Sequence, residues 1–166
     1  MIASDPRLTL RPAVSTDKAT VVAMVNAMAE CDQMPKLDAE AQQRLVRDAF
    51  ERKKFEMVLA DWEGKAVGYV AFFEAYSTFE ARPTLFIDDL FVVPEYRGRH
   101  VGYDLFRYCL TESQKRDCGR MEWLVLENNR SALGFYDRLK AHQLKGWAPF
   151  RMGRTDIDKL VGQSSR

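Results

Sequence analysis

An almost continuous apolar stretch in the second half of the chain constrains the fold more than any other feature. Residues Leu85–Val93 are apolar except for Asp88 and Asp89, and Pro94 ends the stretch. Such a run is typical of a strand buried on both faces. A basic loop with glycine follows it, and from Val101 onward apolar residues recur at helical spacing. The pattern therefore predicts a buried strand joined to a helix by a tight basic loop.

Changes in hydrophobic period predict the other elements. In chain order these are a strand at Leu8–Pro12, helices after Ser15 and after Asp38, strands at Glu56–Ala60 and Ala66–Phe73, a strand at Met121–Leu126, a helix at Ser131–Lys140 and a last strand near Trp147 and Phe150. The expected order is β-α-α-β-β-β-α-β-α-β. Because helices and strands would share one core, the fold class is mixed α/β or α+β. The length of 166 residues predicts a single domain over residues 1–166.

Composition excludes several function classes. The 25 basic and 24 acidic side chains give a net charge of +1, so no large field favours nucleic acid or an anionic membrane. The first twelve residues lack the apolar core of a secretory signal. Three cysteines that are far apart fit reduced thiols in a cytoplasmic protein. The two histidines have no partner at ligand spacing, so we expect no metal site.

The loop between the buried strand and the next helix has the chemistry of a phosphate site. Its residues run Arg97-Gly98-Arg99-His100-Val101-Gly102. Free N–H groups at a helix start carry partial positive charge, glycines allow close approach, and arginines offer forked donors to phosphate oxygens. The Walker motif and the dinucleotide fingerprint are both absent. The alternative is a solvated basic turn with no ligand.

Two segments resemble the GNAT superfamily of acetyl-CoA-dependent N-acetyltransferases. The loop is similar to that superfamily's Arg/Gln-x-x-Gly-x-Gly/Ala motif, with Arg97 first, Gly102 last and His100 in place of the middle glycine. Residues Asn129–Tyr136 resemble its Asn-x-x-Ala-x-x-Phe-Tyr segment. The resemblance covers nearly the whole chain and is closest to the diamine (spermidine/spermine) and thialysine N-acetyltransferases. It implies the GNAT fold, a single mixed and mostly antiparallel central sheet flanked by helices.

The resemblance also implies a cofactor site and a mechanism. The pyrophosphate of acetyl-CoA would be bound by the loop residues Arg97, Gly98, Arg99, His100, Val101 and Gly102. The backbone of Leu90, Phe91 and Val92 would bind pantetheine and polarise the thioester carbonyl, and Asn129 would hold the pantetheine arm by its amide. Tyr136 would act as general acid towards the departing thiolate. The alternative for Tyr136 is a packed core tyrosine.

Acidic residues are candidates for the acceptor site. Asp88 aligns with a catalytic glutamate of the diamine enzymes and would accept the amine's proton, directly or through water, or bind its ammonium group. Asp89 should face the opposite side of the strand, because side chains alternate, and we expect it to be structural. Asp32 and Glu122 are further substrate-binding candidates. Their alternatives are a helix end and an ordinary strand residue.

Three functions remain open at this point. The first is direct acetyl transfer to a primary amine of a small molecule such as a diamine, a polyamine or a lysine analogue. The second is acetylation of a protein lysine or N-terminal amine, and the third is a non-catalytic acyl-CoA-binding sensor. Two departures from the polyamine enzymes, Asn128 for a tryptophan and Lys140 for a glycine, leave the acceptor undefined. We expect a homodimer, with Trp147 and Phe150 either at the interface or in the core.

Overall fold

The computed structural model describes residues 5–163, and its elements follow the predicted order except at the C-terminal end. The strands are β1 (Leu8–Pro12), β2 (Glu56–Trp62), β3 (Lys65–Ser77), β4 (Arg82–Val92) and β5 (Arg120–Trp123). The α-helices are α1 (Lys18–Cys31), α2 (Ala39–Phe50), α3 (Val101–Lys115), α4 (Arg130–Arg138) and α5 (Arg154–Gln163). Short 3₁₀ helices lie at Ser15–Asp17 and Pro94–Tyr96.

Over the described residues, the strands form one mixed sheet in the order β1-β2-β3-β4-β5. Strands β1 to β4 pair with one another in antiparallel fashion, and β5 is parallel to β4. A parallel pair needs a long crossover connection, which α3 supplies by packing against β3 and β4. The predicted class, a mostly antiparallel mixed sheet flanked by helices, is therefore confirmed.

The central strands are buried on both faces, which explains their nearly continuous apolar sequence. On one face, Val21 of α1 joins Leu59, Tyr69 and Phe91 in a closed core cluster. On the other face, the ring of Phe72 lies 6.4 Å from that of Tyr108 of α3. Helices on both faces remove the middle of β3 and β4 from water, so polar side chains buried there need internal partners.

Cys109 of α3 lies in the core, as its position on the apolar side of the helix predicted. Burial raises the pKa of its thiol to about 12. A thiol that stays protonated at neutral pH is a poor nucleophile. The structure thus agrees with a packing role for this cysteine.

The chain divides into two compact units, residues 5–124 and 125–163 of the described range. The first unit holds the whole sheet with α1, α2 and α3, and the second holds α4 and α5. Among residues 5–163, none of the helices combines the length and apolarity needed to span a bilayer.

The expected last strand near Trp147 and Phe150 is wrong. Within residues 125–163 the structure has no strand, and α5 follows the aromatic residues instead. Gly146 has a φ of +82°, outside the extended region, and Pro149 has no N–H to donate to a ladder. Two aromatic residues suggested a buried strand, but Trp147 is 80% exposed and Phe150 is 96% exposed.

Candidate active site

The loop that leaves β4 is held in a defined shape by its own hydrogen bonds. The backbone N–H of Tyr96 donates to the Val93 carbonyl at 2.9 Å, and that of Arg97 donates to the Pro94 carbonyl at 3.1 Å. The Arg97 side chain turns back, and its Nε donates to the Val92 carbonyl at 3.0 Å. These bonds fix where the loop meets α3. Arg97 therefore has a structural role in addition to any contact with a ligand.

His100 occupies the N-cap position of α3 in a left-handed conformation, with a φ of +64°. Glycine adopts this conformation without strain, which explains why the family motif has glycine at the equivalent place. The His100 side chain accepts no capping hydrogen bond. The N–H groups of the first turn are therefore not satisfied by the cap residue and can bind an anion.

The two glycines of the loop differ in their surroundings. Gly98 has a φ of +75°, and a Cβ there would meet nothing within 4 Å. A Cβ on Gly102 would lie 3.6 Å from Val92 Cγ2 and 3.7 Å from Leu90 Cδ2, which is ordinary contact. Neither glycine is required by crowding within the protein. Their lack of a side chain leaves the backbone open to a ligand.

One edge of β4 is open along the segment that leads into this loop. The pairing of β5 with β4 covers only Thr84 to Ile87. Beyond that point Leu90, Phe91 and Val92 pair with β3 on one side, and among the described residues no strand pairs with them on the other. An open edge presents unpaired backbone donors and acceptors to which an extended, amide-containing ligand can bind as an added strand.

A β-bulge sits where β4 and β5 separate. Ala71 pairs with Asp89, whereas the next residue, Phe72, pairs with Ile87, so Asp88 is the extra residue. A bulge breaks strict alternation along its strand. Asp88 is exposed and Asp89 is half-buried, and the charge of Asp88 acts on Asp89. That Asp89 is structural stays a prediction.

Asp89 is half-buried and is bound by a fully buried tyrosine. The Tyr69 hydroxyl lies 3.0 Å from Asp89 Oδ2, to which it donates, and 3.3 Å from Met28 Sδ of α1. Burial raises the pKa of Asp89 to about 6, the charges of Asp88 and Asp32 add to that rise, and the Tyr69 hydrogen bond opposes it. Burial and the Asp89 charge likewise raise the pKa of Tyr69. A carboxylate of this kind can hold or release a proton near neutral pH.

Asp32 joins the same group from a different element. It caps the C-terminal end of α1, where its N–H donates to the Met28 carbonyl at 3.0 Å, and its side chain is exposed. Its charge acts on both Asp89 and Tyr69. The predicted residues Asp32 and Asp88 therefore both act on Asp89 through their charges.

Comparison with known proteins identifies the family. A sequence profile of the Acetyltransferase (GNAT) family matches residues 21–140. The chain belongs to this family. It is 25% identical over 166 residues to mouse thialysine N-epsilon-acetyltransferase, covering 93% of this chain and 97% of that enzyme. It is 33% identical over 96 residues to an L-ornithine N5-acetyltransferase of Arabidopsis thaliana, covering 56% and 42% respectively.

Solved structures share the fold at lower sequence identity. An integron cassette protein of Vibrio cholerae superposes with a TM-score of 0.81 at 18% identity, covering 95% of this chain and 99% of that one. An aminoglycoside acetyltransferase from an uncultured soil metagenomic sample, in complex with sisomicin, gives 0.76 at 15% identity over 89% and 96%. The GNAT fold expected from the sequence is confirmed, and the chain is an acetyltransferase.

Two predicted residues of this GNAT acetyltransferase lie in the second unit. Asn129 caps α4, and its Oδ1 accepts from the Ala132 N–H at 3.0 Å. The capping bond involves only the side-chain oxygen of Asn129, so the side-chain N–H groups of Asn129 take no part in it. Tyr136 is a half-buried residue of α4 in edge-on contact with Phe135, their ring centroids 5.1 Å apart. Their roles towards acetyl-CoA stay predictions.

Glu122 has a partner within the protein. Its Oε1 lies 2.8 Å from Arg120 Nε, and Arg120 Nη1 lies 2.9 Å from Glu80 Oε1. The expected substrate-binding role of Glu122 stays a prediction, and the ion pair supplies a structural role. Glu122 lies beside Phe86 in the pairing of β4 with β5.

Sequence reasoning missed the Tyr69–Asp89 pair. The signal was a hydroxyl in the middle of an apolar strand, because a buried tyrosine normally needs a hydrogen-bond partner. Finding that partner required the pairing register of β3 with β4, and the hydrophobic pattern of a single sequence does not give that register. The residues described in the structure contain no group of three or more potential metal ligands.

Proposed function

We propose that this acetyltransferase transfers the acetyl group of acetyl-CoA directly to a primary amine of a small molecule, without an acyl-enzyme. The observation that carries the proposal is the open edge of β4, which has an uncapped helix start at one end and a carboxylate group at the other. Acetyl-CoA has its reacting thioester at one end, its pyrophosphate further along and the pantetheine arm between them. The thioester would lie towards the carboxylates, the pantetheine arm along the open edge and the pyrophosphate at the helix start. When bound, acetyl-CoA supplies the acetyl group as an activated thioester.

The chain's own residues fit this cosubstrate. The N–H groups at the start of α3, with Gly98 and Gly102 beside them, suit the pyrophosphate. Arg97, Arg99, His100 and Val101 complete that loop. Backbone groups of Leu90, Phe91 and Val92 on the open edge would pair with pantetheine amides. A backbone N–H aimed at the thioester oxygen would stabilise developing charge, an effect worth about 3 kcal/mol in other enzymes.

The carboxylates at the bulge would prepare the amine. An alkyl ammonium group loses its proton near pH 10, and only the neutral amine attacks. Asp88, exposed at the bulge, would bind the ammonium group or accept its proton, directly or through water. Asp89, whose pKa burial raises to about 6, is the next residue and would assist in this task.

Tyr136 would complete the reaction by donating its phenolic proton to the departing thiolate, while Asn129 would hold the pantetheine arm through its amide N–H groups. Resemblance to the family motif supports both assignments. The family profile, which matches residues 21–140, includes both residues, and this agrees with the two roles.

The acceptor would be a small cationic amine. The carboxylates of Asp32, Asp88 and Asp89 favour a positively charged ligand. Relatives named for thialysine and ornithine act on small amines according to their names, which agrees with such an acceptor. Asp32 would bind a second positive charge or help to attract the first. Glu122 is paired with Arg120, so it would bind the acceptor amine only by giving up that ion pair.

We also propose a homodimer located in the cytoplasm. The second unit exposes Leu144, Trp147, Phe150 and Met152, which is more apolar surface than a short segment normally leaves in water. A second copy of the chain would cover it. The free state of Cys31, Cys109 and Cys118 fits a reducing compartment.

The test is release of CoA thiol from acetyl-CoA by the purified protein with a panel of amines. The panel holds diamines, polyamines, ornithine, lysine and its thio-analogue, other amino acids, aminoglycosides and a histone-tail peptide. Turnover confined to one small amine supports the proposal. Turnover with the peptide alone, or acetyl-CoA binding without any turnover, contradicts it.

A Tyr136→Phe variant tests the general acid. It should cut turnover by about 100-fold or more and leave acetyl-CoA affinity nearly unchanged. The control is Tyr108→Phe, which also removes one hydroxyl from a ring on a helix but lies on α3 against Phe72. Equal losses of turnover and affinity, or no loss of either, would remove Tyr136 from the mechanism.

A further inference from the structure

The buried side chain of Tyr69 links three elements around the carboxylates at the bulge. Tyr69 lies in β3, and its hydroxyl reaches Met28 Sδ of α1 at 3.3 Å and Asp89 Oδ2 of β4 at 3.0 Å. Its ring also packs against Phe91, with the ring centroids 6.1 Å apart. One rigid side chain therefore connects an acceptor carboxylate to a residue whose backbone lies on the open edge of β4.

The pairing of β3 with β4 directs the Tyr69 hydroxyl to Asp89. Ala71 pairs directly with Asp89, and its small side chain leaves room for Tyr69 to reach Asp89 diagonally across the two strands. A phenol has one proton to donate, and a carboxylate is a much stronger acceptor than a thioether sulfur. The resulting bond fixes the orientation of the carboxylate through Oδ2 and does not involve Oδ1.

Tyr69 acts on Asp89 as a donor that keeps its own proton. Burial and the charge of Asp89 raise the pKa of Tyr69, so its hydroxyl stays protonated at neutral pH. The charged groups that act on Asp89 are Asp88 in the same strand and Asp32 at the end of α1, and both raise the pKa of Asp89. The Tyr69 hydrogen bond works in the opposite direction and favours the ionised carboxylate.

We propose that Tyr69 is a positioning residue that holds Asp89 as the proton acceptor for the amine, while the exposed Asp88 binds the ammonium group. The inference rests on the proposed function and assigns separate tasks to the two carboxylates. An N–H bond of the ammonium group breaks, its electron pair stays on nitrogen, and the proton forms an O–H bond with Asp89, directly or through water. The neutral amine then attacks the thioester, and Asp89 returns its proton to water.

Two measurements on Tyr69→Phe, which removes only the hydroxyl, test the inference. The first follows the titration of Asp89 in ligand-free protein by carbon-13 NMR of its carboxyl group, and the Asp89 pKa should rise by about one unit. The second is the pH dependence of kcat/KM with thialysine, or with whichever amine of the panel above is turned over fastest. Because the acid limb moves up with the Asp89 pKa, kcat/KM should fall about tenfold at pH 6 and only about threefold at pH 9. The KM for acetyl-CoA should stay within about twofold of that of the wild type.

Variants of the two carboxylates should change the pH profile in other ways. Asp88→Asn removes a charge that raises the Asp89 pKa, so the acid limb should move to lower pH. Asp89→Asn should abolish that limb, and adding Tyr69→Phe to it should change kcat/KM by less than about twofold. Thermal unfolding verifies that each variant is folded, and the two carboxylate variants still decide the question if Tyr69→Phe is not.

Met28→Leu is the matched control, because it replaces the other atom near the Tyr69 hydroxyl and keeps the bond to Asp89. It should leave the acid limb within about 0.3 pH units of the wild type. An unchanged Asp89 titration in Tyr69→Phe, equal losses of kcat/KM at pH 6 and pH 9, or an equal shift in Met28→Leu would overturn the inference. Asp89→Asn that retains the acid limb would overturn it as well. A wild type that acetylates none of the amines would instead contradict the proposed function, and the titration of ligand-free protein keeps the two failures distinguishable.

Discussion

At the scale of single residues, Asp89 shows how burial of a carboxylate lowers the stability of the fold. Its carboxylate is half-buried beside two other acidic groups, and Tyr69 gives it one hydrogen bond. Withdrawal from water disfavours the ionised form more than that bond favours it. The residue therefore resists folding while it is charged, which is the condition at neutral pH.

Replacing Asp89 by asparagine should stabilise the protein at neutral pH and impair turnover. The Asp89 pKa is raised from 3.8 to about 6, so folding favours its protonated form. That stabilising contribution is complete below about pH 4 and is lost as pH rises through 6. Asp89→Asn should therefore exceed the wild type by about 1–3 kcal/mol at pH 7.5 and match it near pH 4. Urea unfolding at both pH values measures this.

The control is Asp117→Asn, since Asp117 is an exposed aspartate paired with Arg82. Its effect should stay within about 0.5 kcal/mol at both pH values. An Asp89→Asn variant that is less stable than the wild type at pH 7.5 would show that the carboxylate contributes a needed interaction rather than a desolvation cost.

At the scale of elements, Arg11 joins three segments that are distant in sequence. From β1, it donates to Asp17 of the first 3₁₀ helix at 2.7 and 3.0 Å, and to Asp61 of β2 at 2.7 Å. Both aspartates are almost enclosed, with side chains 11% and 12% exposed. Hydrogen bonds from Arg11 lower the pKa of Asp17. Loss of the guanidinium leaves two carboxylates that water cannot fully solvate.

Arg11→Met keeps the apolar stem and should cost about 3 kcal/mol of unfolding free energy at pH 7. Because the Asp17 pKa is lowered, its contribution is present above about pH 4 and is lost as pH falls through the folded value. The difference between variant and wild type should thus shrink below pH 4, opposite in direction to the Asp89 effect. Chemical unfolding from pH 3 to 7 tests this, and a difference that grows in acid contradicts it.

Gly68 determines how closely β3 approaches β4 beside Phe91 and Val92, on the paired side of β4 opposite the open edge. A Cβ there would lie 2.6 Å from the Phe91 carbonyl oxygen, which belongs to the backbone and cannot turn aside. Gly68→Ala should therefore destabilise the protein by about 2–3 kcal/mol and weaken acetyl-CoA binding, because the strand carrying Phe91 must shift. Gly102→Ala is the matched control for stability, as its Cβ would meet only ordinary contacts. Calorimetric unfolding should separate the two variants, and equal stabilities would contradict the crowding argument.

Sequence patterns predicted the positions of helices and strands better than the pairing register and packing between them. Helical and strand periods located nine of the ten α-helices and strands found between residues 5 and 163, because burial imposes those periods directly on the residues of each element. The bulge at Asp88 could not be predicted, since it depends on the register between two strands. The strand expected at Trp147 failed for a related reason: aromatic residues indicate burial, but the surface that would bury them need not belong to the same unit.

At the scale of the whole molecule, the exposed apolar side chains of the second unit should control assembly. Trp147 and Phe150 are the most exposed of these. A Trp147→Ser, Phe150→Ser double variant should sediment as a monomer at concentrations where the wild type is a dimer. Sedimentation equilibrium provides the measurement, and Lys145→Ser is a control in the same segment. A monomeric wild type, or a dimeric double variant, contradicts the proposed interface.

The open edge of β4 also bears on how the protein behaves in concentrated solution. Backbone groups that await a ligand are equally able to pair with the same edge of another molecule. Acetyl-CoA would occupy that edge, so the supply of cosubstrate should govern colloidal stability as well as turnover. We expect ligand-free protein to form light-scattering aggregates on storage, rich in intermolecular strands, and saturating acetyl-CoA or CoA to suppress them.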